Sequence, residues 1–464
     1  MKNHRSLGIV IKLGTSSIVD EKTHQPLLSN LSLIVETAHR LREDGHRVVI
    51  VSSGAIGVGL RRMETDKRPK HLAQLQALAA IGQCRLMNIW DSLFNHLKQP
   101  VAQILLTRND IADRSRYLNA QRTFNELLDM GVIPIVNEND TLAVSEIKFG
   151  DNDTLSAITA AMVHADLLFL MTDVDCLYDK NPRSHPDAQP IEVVEDIGAL
   201  QADVSSAGSS LGTGGMSTKI VAARLATSAG VTTVITRASN PGNISRIVQH
   251  IQGSASPASH LTRENGDVAE PPVAAAAEDP LSKSIASLQS LDLAARQTPL
   301  HTRFLPSPHP IRDRSFWILH GLKPHGDVYI DQGCYKALVN KAGLLPVGVV
   351  DVDGSFSGHE CVRLMVVERT SAGDAMAADG KLWHGEPQDV GRAIVNYSSV
   401  EIMRIKGHQS KEIEGLLGYA DSGYVAEREH ITFFRRESRP QTPTPIGPGS
   451  MTPVGGVAGY QSNA

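Results

Sequence analysis

Six short apolar runs, at 7–13, 47–51, 101–107, 132–136, 166–171 and 231–236, alternate with stretches whose apolar residues recur at helical spacing. Leu31, Ile34, Val35, Ala38 and Leu41 make one such stripe, and Leu72, Leu75, Leu78, Ala79 and Gly82 another. A third follows over 118–128. Short apolar runs separated by helix-period stretches predict strands joined by crossover helices. Sustained over the first half of the chain, the alternation predicts an α/β fold: a doubly wound, mainly parallel sheet covered by helices on both faces.

Charge and cysteine usage narrow the partners. In 464 residues, 45 Lys+Arg stand against 50 Asp+Glu, a formal net charge of −5. A protein that mainly binds nucleic acid needs a clear cationic excess, so an anionic ligand here must be held by local positive groups. Cys84, Cys176, Cys334 and Cys361 lie far apart with no CxxC pair, and the 18 histidines are scattered. Neither a disulfide framework nor a zinc site is predicted. Lys2 and Arg5 precede an apolar stretch that Lys12 interrupts, too short and too polar for a signal core. With no run near the roughly 18 apolar residues of a membrane span, a cytoplasmic protein without membrane association is expected.

The texture changes after residue 253. From 254 to 310 the chain is rich in Ala and Pro, which predicts a low-complexity linker, with a weak amphipathic helix near 281–295. Short apolar runs at 315–320, 327–330, 347–352, 361–367 and 393–398 predict a small β-rich domain over 311–408. Residues 409–464 form a C-terminal extension whose Pro/Thr/Gly tail reads as disordered. Residues 1–253 are the first domain.

In a doubly wound sheet, ligands bind outside the carboxyl ends of the strands. The unusual polar clusters sit there. Lys12-Leu13-Gly14-Thr15-Ser16 ends the first run, Ser52-Ser53-Gly54-Ala55-Ile56 the second, Asn137-Glu138-Asn139-Asp140 the fourth and Thr172-Asp173-Val174-Asp175 the fifth. Gly150-Asp151-Asn152-Asp153 and Gly212-Thr213-Gly214-Gly215-Met216-Ser217-Thr218-Lys219 precede helices.

Each cluster has a plain and a chemical explanation. The glycines before Lys219 bare the backbone at a helix start, which suits a phosphate, but such a turn alone is more often a bend; neither GxxxxGK[ST] nor GxGxxG is present. Lys12 inside an apolar run is a lysine snorkelling from an edge strand, or a stabiliser of charge on a transferring phosphoryl group. Asp151, Asn152 and Asp153 include a helix N-cap, yet exceed what a cap needs. Ser53 either caps a helix or helps to hold a small anion. Asp173 and Asp175 contact a nucleotide or merely end a strand. No Ser/His/Asp pattern with nucleophile-elbow context is present. Two lysines, a Gly-rich anion site and no nucleophile point to phosphoryl transfer by positioning and charge neutralisation.

In this order, the clusters resemble the amino acid kinase superfamily and, within it, the glutamate 5-kinases. Val10-Ile11-Lys12-Leu13-Gly14-Thr15-Ser16, Val51-Ser52-Ser53-Gly54-Ala55-Ile56, Leu106-Thr107-Arg108 and the three later clusters carry the likeness from about residue 7 to 252. The resemblance implies transfer of the ATP γ-phosphoryl, with Mg²⁺, to the side-chain carboxylate of L-glutamate. That is the first step of proline biosynthesis, with proline as an inhibitor. It implies catalytic roles for Lys12, Lys219 and Asp153. Ser53, Asp140, Asp151 and Asn152 match substrate-binding positions. Lys12, Thr172, Asp173, Thr213, Gly214, Gly215, Met216, Ser217, Thr218 and Lys219 match ATP-binding ones. No metal-ligand set is implied. A homo-oligomer and hand-over of the labile product to glutamyl phosphate reductase are further expectations.

The β-rich segment resembles a PUA domain, a pseudo-barrel often found in RNA-modifying enzymes, through Lys341-Ala342-Gly343-Leu344-Leu345-Pro346-Val347-Gly348-Val349-Val350. Over 311–408, 11 Lys+Arg face 12 Asp+Glu, so a structural or regulatory role is expected before RNA binding. Residues 368–392 read as an insertion in it. Rival readings are another amino acid kinase acting on N-acetylglutamate, aspartate, carbamate or UMP, an RNA-binding protein, and a scaffold that binds glutamate without turnover.

Overall fold

The computed structural model describes residues 5–65, 67–142, 152–197, 200, 215–254, 298–311, 313–369 and 383–434. An eight-stranded sheet forms its larger part. In chain order its strands are β1 (Gly8–Leu13), β2 (Arg47–Ser52), β3 (Val101–Leu106), β4 (Ile133–Glu138), β5 (Leu167–Thr172), β8 (Val193–Val194), β9 (Thr232–Arg237) and β10 (Thr302–Phe304). The two-residue strands β6 (Leu177–Tyr178) and β7 (Pro190–Ile191) pair apart from it. The spatial order is β3-β4-β2-β1-β5-β9-β10-β8, parallel from β3 to β9, with β10 antiparallel to β9. All six predicted runs are strands of this sheet.

Helices cover both faces: α1 (Thr15–Ile18), α2 (Leu28–Glu43), α3 (Ala55–Arg62), α4 (Leu72–Asn95), α5 (Arg108–Ala112), α6 (Arg114–Asp129), α7 (Asn152–Met162), α8 (Met216–Ser228) and α9 (Asn243–Ser254). Side chains alternate across a strand, so the sheet feeds two cores. Ile9, Ile11 and Leu13 join residues of α2, α4 and α9, while Val10 joins residues of α6, α7 and α8. Every residue of β1 is buried. By the same alternation Lys12 shares the Val10 face, beneath the start of α7.

The chain steps from β1 outward to β2, β3 and β4, then returns through α7 to β5 on the other side of β1. The strand order therefore switches at β1, and in open α/β sheets the crevice at such a switch holds the ligand.

A second sheet has the order β12-β11-β13-β14-β15, from β11 (Gly326–Asp331), β12 (Val349–Gly354), β13 (Cys361–Arg369), β14 (Trp383–Ile394) and β15 (Ile431–Phe433). Its own core includes Val328, Ile330, Leu364, Val390, Tyr397 and Ile402. The described residues of 368–392 are strand: β13 and β14 pair from Cys361↔Ile394 out to Arg369↔Trp383.

Two expected boundaries move. Within 254–310, residues 255–297 and the expected helix at 281–295 lie outside the described residues, but Thr302–Phe304 is a strand of the first sheet. Phe304 is fully buried, and one large apolar side chain plus a free edge on β9 suffices to dock three residues. Phe316, Trp317 and Ile318 likewise pack into the first sheet's core, although they lie inside the span assigned to the small domain. At its far end the second sheet continues past residue 408 to β15. No helix among the described residues is long and apolar enough to cross a membrane.

Candidate active site

Lys12 and Lys219 converge on one carboxylate. Lys12 Nζ lies 2.6 Å from Asp153 Oδ1, and Lys219 Nζ lies 3.3 Å from Asp153 Oδ2. All three residues are buried, Asp153 completely. Thr218 Oγ1 is 2.8 Å from the same Oδ2 and accepts the Gly215 N–H at 3.1 Å, which fastens the first turn of α8 to the first turn of α7. Burial would raise the Asp153 pKa, but the Lys12 and Lys219 ammonium groups overcome it and hold the carboxyl down at about 2. The trio carries a formal charge of +1 in a desolvated crevice. A central strand rules out the snorkelling explanation for Lys12, and Asp153 faces lysines instead of capping its own helix.

Beside this charged cluster runs a chain of neutral groups. Asn137 Oδ1 accepts the Glu138 N–H at 2.9 Å. A backbone N–H can only donate, so that contact fixes which way the Asn137 amide faces. Its Nδ2 then donates to Gln83 Oε1 at 2.9 Å. Asn152 Nδ2 donates to Asn137 Oδ1 at 3.0 Å and to Ser53 Oγ at 2.7 Å. Both Asn152 amide hydrogens are thereby used, and Asn152 Oδ1 is left buried without a hydrogen-bond partner. Ser53 lies one residue before the helix cap Gly54, so its hydroxyl serves this chain and not the helix.

Tight local geometry places these groups. Gly54 turns into α3 with φ of 102°, where a side chain would be strained. A Cβ on Gly82 of α4 would stand 1.7 Å from Ala55 O, so α3 and α4 touch backbone to backbone. The same helix carries Gln83 to Asn137 and Trp90, whose Nε1–H donates to Ser52 Oγ at 3.2 Å.

On the other side of β1, Thr172 Oγ1 donates to Asp173 Oδ1 at 3.0 Å, and the exposed Asp173 pairs with Arg183. Arg237, ending β9, grips both oxygens of Asp175 at 2.7 Å each. Gly215 is the N-cap of α8 and Met216 and Ser217 open its first turn, and Asp140 is half-buried beyond β4. Asp151, Thr213 and Gly214 lie outside the described residues. Gln83 and Arg237 were not among the sequence candidates: a glutamine within a helix and an arginine ending a strand look ordinary until the sheet brings them to the rim.

The family model for the "Amino acid kinase family" matches residues 8–237, and that for the "PUA domain" matches 326–417. A Schizosaccharomyces pombe protein named probable glutamate 5-kinase is 51% identical over 431 residues, covering 92% of this chain and 94% of its own. The chain belongs to the amino acid kinase family, in its glutamate 5-kinase branch. A Cyanothece glutamate 5-kinase is 44% identical over 425 residues, covering 91% of this chain and 98% of its own. The match to both family models and to nearly the full length of these relatives makes the chain a kinase of this family with a C-terminal PUA domain.

Proposed function

We propose that the chain transfers the γ-phosphoryl of ATP to the side-chain carboxylate of L-glutamate, giving L-glutamyl 5-phosphate, the first step of proline biosynthesis. The observation that carries this reading is the adjacency of Asn152 and Asp153. One joins a neutral amide and hydroxyl chain, while the other joins two buried lysines. Kinship with proteins named glutamate 5-kinase supports the acceptor.

The chemistry suits the groups present. A glutamate side chain, with an ordinary pKa near about 4.3, is already ionised at neutral pH and needs no general base. Its oxygen attacks the γ-phosphorus, the bond to the β,γ-bridging oxygen breaks, and ADP departs with that electron pair. What opposes the step is repulsion between two anions, and Lys12 and Lys219 answer it. Asp153 keeps both ammonium groups in place and takes no proton. In the acceptor half, Asn152 Oδ1 suits a donor such as the substrate ammonium, and Ser53 Oγ–H can donate to a carboxylate. Asp140 and Asp151 would complete that half. Thr172, Asp173 and the 213–219 segment would hold the nucleotide.

Mg²⁺ would neutralise charge on the β- and γ-phosphates. Among the described residues no group of three or more His, Cys, Asp or Glu gathers to hold a metal, and each Asp153 oxygen already faces a lysine. On this proposal the ion would arrive with the nucleotide. Proline shares the amino-acid backbone groups of glutamate and would compete for the acceptor half. A cytoplasmic homo-oligomer that hands its labile acyl phosphate to glutamyl phosphate reductase completes the proposal.

Hydroxylamine trapping tests it: purified protein with MgATP is offered L-glutamate, N-acetylglutamate and L-aspartate in parallel. Hydroxamate from glutamate alone, suppressed by proline, is expected. Hydroxamate from another acceptor overturns the substrate, and none from any acceptor overturns the reaction.

A further inference from the structure

Between the two sheets lies a turn that the reaction itself does not use. Trp317–Gly321 forms a single π-helical turn, a form frequent at functional positions. One side of it packs against α5, and the other against β14 and β15 of the second sheet. The His320 ring sits 5.0 Å from Phe316 and 6.5 Å from Phe434, joining the turn to the end of the second domain.

Toward the first domain, Trp317 Nε1–H donates to Ile111 O at 2.9 Å in a buried contact. Helix α5 has only five residues, and the last carbonyls of a helix lack partners within it. The indole supplies one from a turn about two hundred residues further along the chain. The Arg114 guanidinium stacks 5.2 Å over the same ring and 5.5 Å over Tyr117.

From Ile111 a bonded path leads to the rim. Ile111 N–H donates to Thr107 O at 3.2 Å, and Thr107 caps α5 through Asp110, with Thr107 Oγ1 2.6 Å from Asp110 Oδ2. Leu106, next in the chain, accepts the Asn139 N–H at 2.9 Å. Two residues before Asn139 stands Asn137, whose amide orients Asn152.

We infer that Trp317 is a positioning residue for the acceptor half of the site, holding the end of β3 and the 137–140 loop in register through α5. The inference rests on the function proposed above. It assigns the turn that leads into the second sheet a grip on acceptor affinity and none on the lysine cluster, because the path ends at Asn137 and Asn152.

The test is Trp317→Phe, which keeps a ring and removes the N–H. The KM for glutamate should rise five- to tenfold, while kcat and the KM for ATP stay within twofold. Amide hydrogen exchange should quicken at Ile111 and Asn139. Gly321→Ala is the second variant: its Cβ would stand 2.8 Å from Trp317 Cδ1 and 3.4 Å from Ile111 O, so the indole must shift while its N–H is kept. It should move the same quantities in the same direction, and it decides the matter if Trp317→Phe does not fold. An unchanged glutamate KM in the folded variants overturns the inference, as does an equal loss in kcat and in both KM values. Should the wild-type protein prefer another acceptor, the function proposed above fails, and the KM for that acceptor decides this inference instead. If the wild type turns over none, the exchange rate at Asn139 decides.

Discussion

Asn152 and Asp153 are neighbours on the first turn of α7, yet they serve two unlike halves of one crevice. The Asp153 half is ionic: two buried lysines and a hydroxyl on a single carboxylate, with its oxygens at 2.6 to 3.3 Å from the ammonium groups. The Asn152 half is neutral, with one serine and two more amides, ending in an acceptor left open. On the proposed function, full charges stabilise what is most charged, the moving phosphoryl group, and so would act on kcat. Neutral hydrogen bonds would orient an amino acid without competing for its charges, and so would act on KM and on selectivity. Placing both on consecutive residues lets one helix start set the distance between acceptor and phosphate.

The sharpest way to break that division is Lys219→Ala. If Lys219 meets the transition state as proposed, losing its buried positive group should lower kcat by about 10²–10³-fold or more. The far-ultraviolet circular dichroism and the glutamate KM should stay near wild type. Unchanged turnover would remove the ionic half from the mechanism.

Asp153→Asn follows in size and reads out in stability as well. It leaves two lysines confronting each other in a dry site, and breaking a buried pair in this way costs roughly 3–5 kcal/mol. The wild-type carboxyl titrates at about 2 when folded, below its ordinary 3.8. Its stabilisation is therefore complete above pH 4 and is lost as the pH falls from 4 to 2, about 2 kcal/mol in all. Urea unfolding at pH 7, 4 and 2.5 should show a smaller acid loss in Asp153→Asn than in the wild type, because the Asp153 contribution is gone while that of the other carboxylates remains.

Asn152→Ala probes the neutral half. It removes two hydrogen bonds at 2.7 and 3.0 Å and the open acceptor. At about 1.5–3 kcal/mol for a hydrogen bond to a charged ligand group, the acceptor KM should rise roughly 10- to 100-fold. The KM for ATP should hold. Parallel losses for both substrates would show that the halves are not separate.

Much of this was legible in the chain, for reasons that differ by residue. The run that became β1 is apolar from Leu7 to Leu13 except at Lys12, which therefore stands out as an intrusion whose cost demands a partner. Asn152 and Asp153 stood out because a helix start needs one cap and this one offers three polar residues. The missing pieces carry no local mark. Thr302–Phe304 lies in Pro-rich sequence and becomes a strand only because β9 offers it an edge. Phe316 to Ile318 are apolar residues whose core is chosen by tertiary packing, and nothing nearby says which of the two sheets they join. The Trp317 bond to Ile111 spans about two hundred residues and depends on a helix end that exists only once α5 has formed.

The smallest effect tests how far the neutral half extends. Gln83 hydrogen-bonds Asn137, so it acts by holding an amide that is already fixed on its other side by the Glu138 N–H. Gln83→Leu removes one half-buried hydrogen bond, worth about 1 kcal/mol, at a position that a leucine can fill. The acceptor KM should rise about two- to fourfold, with kcat unchanged and stability within about 1 kcal/mol of wild type. Combined with Asn152→Ala, the second substitution should add nothing to the KM, because its influence passes through the amide already removed. Full additivity in that double mutant would mean that Gln83 reaches the acceptor by some other route, and the neutral chain would then end at Asn137.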